Sequence, residues 1–197
     1  MEDRELLEAW RGGDRSAGNQ LFERHFDAVY RFFSGKVGGE AADHVQRCFL
    51  ALVEGRDRFR GDASVRTFLF AIARHELYQY WRTRRRDGRL DFGVSSLADL
   101  NPSPSSHVRR TEAHARLHQA LASIPLDLQI VLELHYWEDQ TGPQLAEILQ
   151  IPEGTVRSRL RRGLEALRAH LTPQNDDELL DLGHLLQRAR PVSSAAQ

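Results

Sequence analysis

Along most of this chain apolar side chains return every three or four positions, the period of one helix face. Leu6, Leu7 and Trp10 predict a short first helix that Gly12-Gly13 closes, and Asp14 stands where it can cap a second. In that second helix Phe22, Phe26, Val29, Tyr30, Phe33 and Val37 form one apolar face, ended by Gly38-Gly39. A third helix runs from about Glu40 to Val53, with Ala41, Val45, Phe49, Leu52 and Val53 inward. After a loop from Gly55 to Ala63, Ser64 caps a long fourth helix, with Val65, Phe68, Leu69, Ile72, Leu77 and Trp81 in register.

The pattern breaks at Asp87-Gly88, and the stretch around NPSPSS reads as a linker. A second helical block follows. Ala113, Leu117, Ala120, Leu121 and Ile124 share one face; Pro125 opens a helix with Leu126, Ile130, Val131 and Leu134. Leu145, Ile148 and Leu149 mark a short helix, and Val156, Leu160, Leu164 and Leu167 a longer one that Pro173 stops. The tail adds one amphipathic piece, DDELLDLGHLLQ, and a polar end. No stretch reads as a strand. The expected fold is all-α: two small helical domains, 1–90 and 111–172, joined by a flexible linker, 91–110, with an acidic C-terminal extension, 173–197.

Composition changes this picture little. The chain has 197 residues, enough for two such domains, and 41% hydrophobic against 28% charged residues. Its net charge of −1 hides a gradient: 17 basic against 14 acidic residues in 1–90, 8 against 10 in 91–172, and 2 against 4 in 173–197. Of the basic residues only Lys36 is lysine. Arginine offers forked donors for phosphate and base edges, although coding bias enriches it equally well. The single cysteine, Cys48, excludes an intrachain disulfide and a cysteine-based zinc site. MEDRELLEAW carries no signal-peptide apolar core, and no apolar run reaches the roughly 18 residues that span a bilayer. The expectation is a cytoplasmic protein without membrane insertion.

Two stretches carry candidate chemistry. The first, Phe59 to Arg86, interleaves six aromatic residues with seven arginines. Rings stack on the bases of single-stranded DNA while arginines follow its backbone, and Arg60-Gly61-Asp62 is placed to hold an extruded base. An amphipathic helix with snorkelling arginines explains the same stretch almost as well. The second is TGPQLAEILQIPEGTVRSRLRRGLEAL, Thr141 to Leu167. Thr141 caps, Pro143 sits early in its helix, small Ala146 suits a close crossing, and Ile151 plugs a turn before Pro152. With Val156 and Leu160 facing the core, Thr155, Arg157, Ser158, Arg159, Arg161 and Arg162 remain for the outer face and flanks. A short helix, a tight turn and a basic second helix form the helix-turn-helix that fits a major groove. A plain helical hairpin with a solvated arginine face is the alternative.

The order LFERHFDAVYRFF, AADHVQRCFLALV, DRFRGDASVRTFLFAIAR, an arginine-rich end, a linker and LAEILQIPEGTVRSRLRRGLEALR resembles the extracytoplasmic-function sigma factors of bacterial RNA polymerase, from about Leu6 to Leu171. The resemblance implies a non-enzymatic subunit, without cofactor, that binds core RNA polymerase and promoter DNA. It implies a polymerase-docking surface at Asp43, Val45, Gln46, Phe49 and Leu52. It places the melted −10 element on Arg60, Gly61, Ser64, Arg66, Thr67, Phe70, Arg74, His75, Tyr78, Trp81 and Arg82. The −35 element falls to the helix after Pro152, through the six residues from Thr155 to Arg162 named above. An anti-sigma factor is a further partner class. The chain departs from the family pattern at Arg47 and Cys48, at Phe68 and His75, at Gly142-Pro143-Gln144 and at Gln150, where a left-handed backbone would disfavour glutamine by on the order of 1 kcal/mol.

Other features read more plainly. His114 and His118 lie four apart, but no further ligands stand at a recognisable zinc spacing. Nothing supports a catalytic triad or a phosphate-binding glycine loop. The acidic extension is expected either to be solvated or to regulate, by covering the basic −35 helix or binding another protein. The rival to a promoter-specificity subunit is a stand-alone helix-turn-helix regulator, for which FRGDASVRTFLFAIAR has no purpose. A protein-interaction module with arginines kept for solubility is a third class.

Overall fold

The computed structural model describes residues 1–56, 59, 63–84, 90–100, 112–171 and 182–190. Two units emerge, one built on Met1–Thr83, the other on Arg84–Ala146 and Gln150–Pro191. Among the described residues all regular structure is helical, and an isolated bridge between Ser96 and Pro125 is the one extended pairing.

The first unit holds α1 (Asp3–Arg11), α2 (Arg15–Phe33), α3 (Ala41–Gly55) and α4 (Val65–Arg84). Asp14 caps α2 as expected, its Oδ1 accepting from Ser16 N at 2.9 Å and Ala17 N at 3.3 Å. Helix α2 stops at Phe33, short of Val37, because the chain turns left-handed at Gly35 (φ 80°). Its buried face is Ala17, Leu21, His25, Ala28, Val29, Phe32 and Phe33. Phe22, Phe26 and Tyr30 form a second, less buried stripe. Ser64 caps α4, its Oγ accepting from Thr67 N at 3.0 Å. Nine of the 20 residues of α4 are buried, on more than one side. Phe32 of α2 meets Phe70 at 6.0 Å, His44 of α3 meets Tyr80 at 4.8 Å, and Phe59 meets Phe68 at 5.0 Å.

The second unit holds α5 (Leu97–Leu100), α6 (Glu112–Ser123), α7 (Leu126–Tyr136), α8 (Gly142–Leu149), α9 (Glu153–His170) and α10 (Leu182–Arg188). Two expectations change here. Residues 91–100, read as the first half of a linker, are folded onto this unit, while 101–110 lie outside the described residues. The physical reason is the N-terminus of α7, whose first amides lack intrahelical acceptors. Phe92 O accepts from Asp127 N at 3.0 Å and Ser95 O from Leu126 N at 2.9 Å, while the Phe92 and Leu97 side chains are buried. The described part of the extension is likewise folded. Leu182, Leu186 and Ala189 enter one cluster with Leu117, Leu121, Leu128, Leu132, Trp137 and Leu167. The Trp137 indole donates to Leu186 O at 2.8 Å, and Arg190 pairs with buried Glu138 at 3.3 Å. The described extension therefore covers an apolar face and not the basic face of α9, whose Arg157 and Arg161 stay exposed.

Candidate nucleic-acid interface

In the second unit α8 and α9 form the expected helix-turn-helix. Thr141 Oγ1 donates to Gln144 Oε1 at 2.9 Å, and the Thr141 amide reaches the same oxygen at 2.8 Å, closing the start of α8. The turn carries Gln150 at φ 54°, so the left-handed backbone is present at the position where the family pattern has glycine. Ile151 N bonds Ala146 O at 3.1 Å, and Pro152 stands as the N-cap of α9. Val156, Gly163 and Leu167 are the buried residues of α9. A Cβ at Gly163 would lie 3.1 Å from the Leu132 side chain, so glycine lets α9 cross α7 closely.

This packing sorts the expected −35 residues. The Arg157 and Arg161 side chains are 75% and 72% exposed, each in an i,i+4 pair with Glu153 or Glu165 at 3.4 and 3.3 Å. Arg162 is exposed beside them, and Thr155 and Ser158 are half-buried at the edge. Arg159 is different. Its side chain is 22% exposed and its Nη2 lies 3.0 Å from Asp127 Oδ2. Arg159 ties α9 to the start of α7, while Arg157, Arg161 and Arg162 stay exposed. It stands one turn after Val156 and one turn before Gly163, at the edge of the inward face.

In the first unit the aromatic-arginine stretch is sorted in the same way. Phe70, Tyr78 and Trp81 are buried, as is Thr67. The rings expected to stack on bases therefore serve the core in this conformation. Burying each ring contributes about 1.5–3 kcal/mol, which explains why the helix turns them inward. The arginines lie over those rings: Arg66 is 5.8 Å from the Phe70 centroid and Arg74 is 4.6 Å from that of Tyr78. Interleaving thus places guanidinium covers on a ring-filled core. The exposed polar face of α4 is His75, Gln79, Arg82 and Thr83, with the capping Ser64 before it; Gln79 and Thr83 are not among the residues expected from the sequence. Arg60 and Gly61 lie outside the described residues.

A groove opens between α2 and α3, lined by Phe22, Phe26, Ala42, Val45, Gln46, Phe49, Leu50 and Val53. Phe22, Leu50 and Val53 are 41%, 53% and 40% exposed, large apolar side chains left in water. The Phe22 ring packs tilted against Phe49 at 4.6 Å and Phe26 at 5.2 Å. Of the expected docking residues, Val45, Gln46 and Phe49 line this groove, Asp43 is exposed nearby in sequence, and Leu52 is core. The sequence did carry a signal for the missed Phe22: α2 has too many rings for one buried face.

The departures at Arg47 and Cys48 do not line the groove. Arg47 Nη1 lies 3.1 Å from Glu76 Oε1 on α4, and buried His44 Nδ1 lies 3.0 Å from the same oxygen. Burial alone would raise the Glu76 pKa, but the Arg47 and His44 hydrogen bonds outweigh it and hold it below its ordinary value. Cys48 is fully buried, and loss of water pushes its thiol up to about 12. No group of three or more metal-ligating side chains gathers among the described residues, and the His114 side chain lies outside them.

Known proteins match in this arrangement. The family description "Sigma-70 region 2" matches residues 21–87, and "Sigma-70, region 4" matches residues 114–167. An RNA polymerase sigma-H factor of Pseudomonas aeruginosa is 30% identical over 186 residues, covering 87% of this chain and 95% of the relative. An ECF RNA polymerase sigma-E factor of Escherichia coli is 28% identical over 184 residues, covering 88% and 96%. Among solved structures, the sigma factor RpoE bound to the anti-sigma factor NepR from Bartonella quintana shares the fold at a TM-score of 0.64. It has 21% identity and covers 80% of this chain and 98% of that one.

Proposed function

The chain belongs to the extracytoplasmic-function sigma factors, non-enzymatic subunits that direct bacterial RNA polymerase to promoters and start transcription, and on that premise we propose how its two units divide the work. The first unit binds core polymerase through the Phe22–Phe49–Leu50–Val53 groove. Its α4 face and the segment before that helix hold the −10 element. The second unit reads the −35 element with Arg157, Arg161 and Arg162. The observation that carries the reading is α9 itself, a turn-seated helix with arginines on the face opposite Val156, Gly163 and Leu167.

The groove argues against a stand-alone regulator, since large apolar side chains left in water mark a protein-binding surface. With Arg47 and Cys48 off the groove, those departures leave docking intact. Opening of the −10 element proceeds by binding the opened form and shifting the equilibrium toward it. With Phe70, Tyr78 and Trp81 buried, the contacts fall to Ser64, His75, Gln79 and Arg82 and to the segment before them. The site of action is the cytoplasm, and no described helix is long and apolar enough to cross a membrane.

The test is transcription with purified core polymerase. Phe22→Asp, which changes a partly exposed residue, should abolish co-elution with core while the protein still melts in a cooperative transition. Retained co-elution would remove the groove from the reading.

A further inference from the structure

We propose that Arg11, at the end of α1, is a positioning residue for −10 recognition, holding the chain where it enters the segment before α4. This rests on the −10 reading above.

The geometry is a fork of guanidinium donors spent on backbone far away in sequence. Arg11 Nε donates to Arg56 O at 2.8 Å, and Arg11 Nη2 donates to both Arg56 O and Phe59 O. Its remaining Nη1 is 2.7 Å from Glu8 Oε1 on the solvent side. A planar fork with fixed donor directions does this; an ammonium on a flexible stem does not. The last helical carbonyls of α3 lack intrahelical partners, and Arg11 supplies charged donors just beyond them.

The neighbouring residues support the clamp. Trp10 is seated on α2 at Gly18, where a Cβ would fall 2.7 Å from the indole. The Arg56 guanidinium lies over the Trp10 ring at 5.1 Å. Phe59 is held from the other side by Phe68 at 5.0 Å. Arg56 and Phe59 are thus fixed to α1, α2 and α4 together, and the chain enters Arg60 from a carbonyl that Arg11 holds. Among the described residues Arg11 touches none expected to contact DNA, so the role assigned to it is placement.

The experiment compares Arg11→Lys and Arg11→Ala with His75→Ala in reconstituted holoenzyme. Open-complex formation is measured on a promoter with its preferred −10 sequence and on single-base −10 substitutions. Core-polymerase affinity and thermal melting are measured alongside. A displacement of about 1 Å at a distant support can cost about 100-fold. Both Arg11 variants should therefore lose open complex by about that factor on the preferred promoter and flatten the discrimination among −10 sequences. Core affinity and melting should stay near the parent's for Arg11→Lys, which keeps charge and stem. Unchanged −10 discrimination in Arg11→Lys, with His75→Ala altering it, overturns the role of Arg11 alone. No change in discrimination for any of the three overturns the −10 reading on which it rests. Should Arg11→Ala fail to fold, Arg11→Lys decides.

Discussion

Replacing Arg157 and Arg159 separately should split DNA affinity from stability. The two arginines lie two residues apart on one helix, yet one points to solvent and the other to Asp127. Arg157→Ala removes an exposed side chain whose one ion pair, to half-exposed Glu153, contributes at most about 0.5 kcal/mol. Its loss should leave melting unchanged. If Arg157 meets a base edge, −35 affinity falls by about 1–3 kcal/mol and discrimination at that position relaxes. If it meets a phosphate, affinity falls evenly and the slope of log affinity against log salt drops by about 0.9. Arg159→Ala breaks a partly buried ion pair at 3.0 Å between α9 and the start of α7. Taking this partner from the mostly buried Asp127 carboxylate costs about 1–3 kcal/mol. The second unit's transition should therefore fall by roughly 4–24 °C, at about 4–8 °C per kcal/mol for a domain of this size. Below that transition the salt slope should equal the parent's. Holoenzyme binding to a −35 fragment across a salt series, with calorimetry of the full chain, reads both quantities. A reduced slope for Arg159→Ala, or an unchanged slope and affinity for Arg157→Ala, would refute the assignment of the α9 faces.

Leu186→Ala should lower the second unit's stability by about 2–5 kcal/mol in denaturant unfolding, because Leu186 is fully buried against the Trp137 face; an unchanged midpoint would mean that α10 is not part of that core. Gln150→Gly should raise the melting temperature, since glycine relieves a left-handed residue by on the order of 1 kcal/mol; a fall would contradict the turn geometry. Stability should decline as pH falls below 6.5. Desolvation holds the His25 pKa below that ordinary value against the opposing pull of Asp3 at 2.6 Å, while Arg24 and Arg66 add to the lowering. The unfolded state therefore takes up the proton first, so the contribution is complete above 6.5 and lost as pH falls through the folded pKa. Glu76, also lowered, adds a second loss below 4.5. A melting temperature flat from pH 7 to pH 4 would count against both. Thiol reagents at neutral pH should label Cys48 only on unfolding, because the buried thiol titrates near 12; rapid labelling of the native protein would show otherwise.

The helix-turn-helix was legible because independent signals coincided there. Thr141 with Gln144, the left-handed Gln150, Pro152 and the inward Val156–Leu167 spacing all specify one local path. Such agreement between local chemistry and period is what makes a motif readable. The inward turn of Arg159 was not, because an ion pair to Asp127 needs the placement of α7. The extension misled for a simpler reason. Its acids, Asp176, Asp177, Glu178 and Asp181, precede an apolar stripe of Leu182, Leu186 and Ala189 at spacings of four and three. That stripe was a core signal, outweighed in the reading by charge. Phe92 and Leu97 carried a weaker one within an otherwise polar stretch.

Helix α4 shows where periodicity stops being informative. A helix with one buried side announces it by spacing, but α4 is met by Phe32 from α2, His44 from α3 and Phe59 from the preceding segment. With neighbours on several sides, apolar residues occupy most angles and no single stripe stands out. The sequence therefore showed rings and arginines together and could not say which served DNA. Geometry separates them by cost. A ring exposed for a base forfeits core burial in the free protein, whereas an exposed arginine forfeits almost nothing. A subunit that must fold before it meets an opened strand will put rings in the core and leave arginine, histidine and glutamine outside. On this ground His75, Gln79 and Arg82, rather than Trp81, are the α4 residues whose replacement should alter −10 use without lowering the first unit's stability.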